Sequence, residues 1–268
     1  MLKDITLGQY FPGNSIAHKL DPRTKILLVT LYIIALFSAK GWMGYAVMAV
    51  TLAACVKVSH VGLRALVRGL KPLVFIIAFT GILNMFFTPD THYLWEWGIL
   101  RVSVKGIENA LFMVIRIMLL VMGTFLMTYT TSPIRLTDGL ESLLNPLKKI
   151  HVPVHELAMM MAIALRFIPT LIEETDKIMS AQKARGADFD SGNIFQKAKA
   201  LVPILVPLFI SAFRRADELA TAMECRCYQG GEGRTKMKLL RYQRNDFCAF
   251  GCLAALVAVV AVLAGFGL

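Results

Sequence analysis

Apolar residues gather into five long stretches, at 26–39, 42–56, 72–87, 107–131 and 247–268, which read as membrane-spanning helices. A straight crossing of about 30 Å takes about 20 helical residues, a length that the last two stretches reach and the third nearly reaches. The first two are short. Lys40-Gly41 between them reads as a tight turn joining two helices, with Lys25, Lys40 and Lys57 placed to snorkel to the headgroups. One longer, broken helix is the other reading of this region.

The interval 132–246 breaks the pattern. Its 115 residues are too many for a connection and too apolar for a disordered linker. Turn-forming groups at Ser132-Pro133, Asn145-Pro146, Pro153, 186–193 and Gly230-Gly231-Glu232-Gly233 divide it. Between them, 154–185 and 194–228 each predict a long helix with an apolar start and a charged end. Leu157, Met160, Ile163 and Phe167 give way to Glu173, Glu174, Asp176 and Lys177; Leu201, Leu205, Leu208 and Phe209 give way to Arg214, Arg215, Asp217 and Glu218. Such helices pack under a membrane domain and project into the cytoplasm. Pro203 and Pro207 predict a bend in the second helix, where their missing donors leave carbonyls free. The acids at 173, 174 and 176 read as a solvated face.

Composition sharpens this picture. Of 268 residues 56% are apolar and 18% charged, with a mean hydropathy of +0.60 and a formal charge of +11; soluble domains run about 45–50% apolar and about 25% charged. Four basic residues in 1–25 and four in 57–71 face one and two on the opposite side, around Lys40 and in 88–106, so the N-terminus is predicted to be cytoplasmic. Tyr93, Trp95 and Trp97 in 88–106 suit an interfacial aromatic belt. Four crossings return the chain to the cytoplasm, which places 132–246 there with 17 of the 29 basic residues and 13 of the 18 acidic ones. That balance is too mild for a nucleic-acid surface.

Other chemistry is thin. The pairs Cys225/Cys227 and Cys248/Cys252 lack the second ligand pair of a zinc site, and Pro153 keeps His151 and His155 from sharing a regular helical turn, so no metal site is expected. The first 25 residues lack the apolar core of a signal peptide. The run 230–236 has the wrong spacing for a phosphate-binding loop and follows a helix. Arg116 lies about nine residues into the fourth span, deep enough to require a partner, for which Asn84 or Glu108 is expected. Gly81, Gly123 and Gly251 are expected to permit close helix contacts.

Two helix ends stand out: Ala181-Gln182-Lys183-Ala184-Arg185-Gly186 and Ala222-Met223-Glu224-Cys225-Arg226-Cys227-Tyr228, with their arginines 41 residues apart. A cation in the last turn complements the helix dipole, and glycine is the usual residue after a helix. An exposed guanidinium there is also a fork-shaped donor for a partner's carboxylate.

Three motif groups make the chain resemble the transmembrane T component of energy-coupling factor (ECF) transporters, the EcfT/CbiQ family of membrane scaffolds in a class of ABC importers. The first is Tyr10, Pro12-Gly13, Ser15, His18 and Leu20-Asp21-Pro22-Arg23-Thr24-Lys25. The second is Arg166-Phe167-Ile168-Pro169 with the end at Ala184-Arg185-Gly186, and the third is Arg214-Arg215-Ala216-Asp217 with the end at Cys225-Arg226-Cys227. The resemblance implies an all-α polytopic protein of about five spans: 1–131 with four of them, a cytoplasmic coupling region at 132–246, and a last span at 247–268. It implies that Ala184, Arg185 and Gly186, and by position Cys225, Arg226 and Cys227, dock in grooves of two ABC ATPase subunits, a hetero- or homodimer that binds the ATP and magnesium. Asp21, Pro22, Arg23, Pro169, Pro203 and Pro207 become structural motif residues. The chain itself would bind no cofactor, catalyse nothing, and hold a substrate-binding S component that delivers a vitamin or metal ion across the bacterial plasma membrane. The second tip departs from the family pattern of Ala-Arg-Gly, since Cys227 stands where the small glycine permits close backbone approach. The alternative class is an autonomous membrane enzyme or channel using Arg116 and the insertion.

Overall fold

The computed structural model describes residues 10–88, 93–97, 100–187, 189, 193–231 and 239–266. The chain divides into two compact units, one of residues 8–142 with 240–268, the other built on 143–239.

In the first unit a single turn, α1 (Ile16–Lys19), precedes α2 (Pro22–Ser38). Asp21 caps α2 by accepting from the Arg23 N–H, and Pro22 opens it where no amide donor is needed. The chain breaks after Ser38 and resumes as α3 (Gly41–Ser59), with Gly41 at φ +73°, so the Lys40-Gly41 turn joins two helices as the sequence implies. Next come α4 (Leu63–Leu70), a 3₁₀ turn at Lys71–Leu73 and α5 (Val74–Phe87). Helix α4 buries Leu66 and Leu70 on one face and exposes Arg64 and Arg68 on the other, the i, i+4 arrangement of an amphipathic surface helix. Where a plain loop was expected, strands β1 (Tyr93–Trp97) and β2 (Leu100–Ser103) form an antiparallel hairpin. The aromatic side chains of β1 lie outside the described residues. Helix α6 (Val104–Thr130) follows, capped by the Ser103 hydroxyl, which accepts from the Gly106 N–H at 2.9 Å; α7 (Pro133–Leu144) and later α10 (Arg244–Phe266) complete the unit.

The core lies among α2, α3, α4, α6 and α10, around Leu36, Met48, Leu66, Leu119 and Val260. Glycines set two approaches: a methyl at Gly123 would stand 2.7 Å from the Tyr32 ring, and one at Gly81 3.0 Å from Val114. Gly251 faces open space, contrary to expectation. Lys25, expected to snorkel, is instead buried, donating to the Thr130 carbonyl at 2.9 Å and the Thr131 hydroxyl at 3.0 Å. Three available protons and two fixed acceptors at the end of α6 outweigh a route to water.

Five helical stretches are long and apolar enough to cross a membrane: Gly41–Ser59, Leu63–Phe87, Val104–Thr130, Val154–Ala184 and Arg244–Phe266. The set differs from the expected one. Helix α2, with 17 residues and about 25 Å at 1.5 Å per residue, is not in the set although it reaches the lower end of the spanning range of about 17–25 residues, while the third span starts earlier because α4 and α5 join through the 3₁₀ turn. Val154–Ala184 enters because its apolar first half is continuous helix with the rest.

The second unit contains a 3₁₀ segment at Asn145–Ile150, α8 (Val154–Ala184) and α9 (Ile194–Cys225). Both helices run through their prolines, Pro169 in α8 and Pro203 and Pro207 in α9. Asn193 and Gln196 close a capping box at the start of α9. Few apolar side chains are buried here, chiefly Val154, Ala158 and Ile204, whereas Leu201, Leu205, Phe209 and Phe213 are exposed.

Candidate functional site

The two helix ends singled out in the sequence fold alike. Helix α8 closes on Arg185, after which Gly186 adopts φ +87°; its N–H donates to the Lys183 carbonyl at 3.0 Å, and the Ala187 N–H reaches back to Gln182 at 3.0 Å. Helix α9 closes on Arg226, after which Cys227 adopts φ +54°; its N–H donates to Glu224 at 2.8 Å, and the Tyr228 N–H reaches Met223 at 3.0 Å. Both are complete Schellman caps with the arginine at the C-cap and the next residue left-handed. A methyl at Gly186 would meet nothing within 4 Å, so backbone conformation alone favours glycine there. Cys227 bears the left-handed conformation without that freedom, at roughly 1 kcal/mol. Its substitution therefore leaves the geometry of the tip intact. Both arginines are exposed, and neither guanidinium has a hydrogen bond or ion pair among the described residues. Cys225 and Cys227 are exposed free thiols.

The helices bearing these tips run antiparallel. The Gln182 side-chain amide donates to the Pro203 carbonyl at 3.3 Å, Glu174 pairs with Arg215 Nη2 at 2.9 Å and accepts from the Ser211 hydroxyl, and Gly231 lies against the His155 ring. Glu174 is thus a tie between helices and not part of the solvated face its spacing implied. Its partners sit on another helix, beyond the reach of a local pattern. Pro207 has no N–H for the carbonyl four residues back, which belongs to Pro203. Gln182, three residues before Arg185, supplies that donor from α8. Arg226 lies 23 residues beyond Pro203, roughly 35 Å along a helix, so the two tips occupy opposite ends of the pair.

In the other unit, Asp21, Pro22 and Arg23 form the centre of a polar clasp. The Arg23 guanidinium holds Asp21 through both carboxylate oxygens, at 3.1 and 3.0 Å, donates to the Ser142 hydroxyl at 3.2 Å, and lies 4.3 Å over the Tyr242 ring. The hydrogen bond to Asp21, with its charge, raises the Arg23 pKa above its ordinary value against the opposing effect of burial. Asp246, only 1% exposed, accepts from the Asp21 N–H at 2.9 Å and from the Gln243 N–H at 2.7 Å. Pro22 packs where a methyl at Gly139 would stand 3.0 Å from its Cβ. His18 closes the preceding motif, bonded at Nδ1 to Ser15 Oγ (2.6 Å) and at Nε2 to the Phe11 carbonyl (3.0 Å); the carbonyl requires the proton on Nε2. Asp246 was not singled out in the sequence; the one available signal was its position three residues after Gln243, where a carboxylate completes a capping box.

Arg116 does not meet the partners expected for it. Its Nε donates to the Tyr45 hydroxyl at 2.8 Å, and its guanidinium lies 5.6 Å from the Phe37 ring centre. Asn84 instead donates to the Thr80 carbonyl of its own helix at 3.0 Å, and Glu108 accepts from Trp42 Nε1 at 3.1 Å. The cause is orientation: α6 presents Arg116 to α3, away from Asn84. Among the described residues no His, Cys, Asp and Glu group is arranged to hold a metal ion.

Helices long and apolar enough to span a membrane, with a separate unit of two long helices ending in exposed arginines, define a multi-pass helical membrane protein. The sequence profile of the family described as cobalt transport protein (CbiQ) matches residues 13–237. The chain is 55% identical to the energy-coupling factor transporter transmembrane protein EcfT of Ruminiclostridium cellulolyticum, over 94% of both chains. It is 55% identical to that of Thermosediminibacter oceani over 99% of both, and 46% identical to that of Bacillus subtilis over 97% of this chain and 98% of the relative. The chain belongs to this CbiQ/EcfT family of energy-coupling factor transporter transmembrane proteins.

Proposed function

We propose that the chain is the non-catalytic scaffold of an ECF-type importer, passing ATP-driven motion from two ATPase subunits to a substrate-binding S component that takes up a vitamin or another micronutrient. ATP and magnesium reside in the partners. The N-terminus and residues 132–246 lie in the cytoplasm, as the distribution of Lys and Arg favours. The observation that carries the reading is the pair of matching caps, each presenting an exposed Arg with no hydrogen bond or ion pair among the described residues, at opposite ends of an antiparallel helix pair. Two plugs with the same cap geometry and the same arginine suit two equivalent grooves, and a guanidinium in such a groove makes bidentate bonds to a carboxylate. When the ATPases close, their grooves move relative to each other, and the paired helices pass that displacement on to the membrane segments.

The doubly substituted Arg185→Glu/Arg226→Glu chain is expected to lose copurification with the ATPases and to abolish uptake, with each single reversal weakening both. Copurification of a fully active ATPase pair with the double variant, together with normal uptake, overturns the reading. Cysteine labelling at position 185 from outside intact cells overturns the orientation.

A further inference from the structure

Arg116 occupies a shallower place than its position in the sequence implies. It is bonded to Tyr45 and lies against Phe37; Phe37 precedes the Lys40-Gly41 turn by three residues, and Tyr45 follows that turn by four. The guanidinium therefore sits about one helical turn, roughly 5 Å, from the turn joining α2 and α3. Helix α2, with 17 residues, is shorter than a typical hydrocarbon core, and a short span draws the bilayer surface toward itself. A bilayer surface drawn in this way brings its headgroups toward the level of Arg116.

Among the described residues no anion engages the site. Of the five N–H donors of Arg116, one goes to the Tyr45 hydroxyl, and no carboxylate among the described residues takes the others; the neighbouring acid, Glu108, is held by Trp42. Phe37, whose ring lies beside the guanidinium, is 59% exposed and Trp42 51% exposed, so the rim is apolar and open. Lys40, exposed at the turn, adds a second positive charge. We propose that the ends of α2 and α3 and the facing part of α6 form a binding site for the phosphate of a phospholipid with a net negative headgroup. The Arg116 fork takes two phosphate oxygens, Lys40 favours anionic over zwitterionic headgroups, and Phe37 and Trp42 lie along the acyl chains. The apolar rim favours a lipid over free phosphate, which has no use for exposed rings.

Native mass spectrometry of the full chain with added phosphatidylglycerol or phosphatidylcholine tests this. Preferential retention of phosphatidylglycerol by about tenfold is expected, lost in Arg116→Gln and reduced in Arg116→Lys, which keeps the charge but not the fork. A benzophenone amino acid at Phe37, in a chain that retains Arg116, is expected to crosslink phosphatidylglycerol over phosphatidylcholine from equimolar liposomes, and this decides the matter should Arg116→Gln fail to fold. Equal crosslinking of the two lipids, unchanged retention by a folded Arg116→Gln chain, or displacement of phosphatidylglycerol by millimolar inorganic phosphate overturns the proposal.

Discussion

Cys227 takes up a backbone conformation that its side chain disfavours. From the sequence, a cysteine in place of a glycine suggested that close approach at the second tip would suffer; the fold keeps the cap and loads the cost onto φ +54°. Cys227→Gly is therefore expected to stabilise the end of α9 by about 1 kcal/mol, and Gly186→Ala to destabilise the end of α8 by a similar amount. Hydrogen exchange at the last-turn amides of each helix measures both. The arginines themselves were legible, because a cation before a turn-former is a local pattern. That neither has a hydrogen bond or ion pair among the described residues was not, since it depends on what surrounds a helix end.

At the scale of the element, the limits of α8 and α9 could be read from apolar periodicity and the breakers around them, but their pairing could not. Glu174 and Arg215 are 41 residues apart, and nothing local distinguishes Glu174 from Glu173 beside it. Both partners are partly exposed, so Glu174→Gln is expected to weaken the pairing by only about 1 kcal/mol. Its larger effect is expected in coupling, with ATP hydrolysis by the assembled complex retained and uptake lowered severalfold, measured side by side in proteoliposomes. Gln182 makes a related link. Because Pro207 leaves the Pro203 carbonyl without a helical donor, Gln182→Ala is expected to loosen α9 in the native chain and to have no further effect once Pro207→Ala restores the N–H. Hydrogen exchange across 200–211 in the two backgrounds checks this.

Across the whole molecule, the polar clasp around Asp21 and Arg23 gathers both ends of the connections that leave the larger unit. Ser142, the last residue before the chain departs, bonds to Arg23; Tyr242 and Asp246, just after it returns, meet Arg23 and Asp21. Asp246→Ala strips the acceptor from two amides, one of them fully enclosed, and is expected to cost about 2–4 kcal/mol, with Asp246→Asn milder; thermal unfolding of the detergent-solubilised chain reads the difference. The sequence by itself determined the helices, the membrane character, the late insertion and the two arginine tips, because each follows from periodicity, composition or residues within one turn of one another. Only the tertiary structure decided the partners of Lys25, Arg116, Glu174 and Asp246. A buried or half-buried charge takes whichever donor or acceptor the packing of distant helices brings within 3 Å, and that choice leaves no local pattern in the chain.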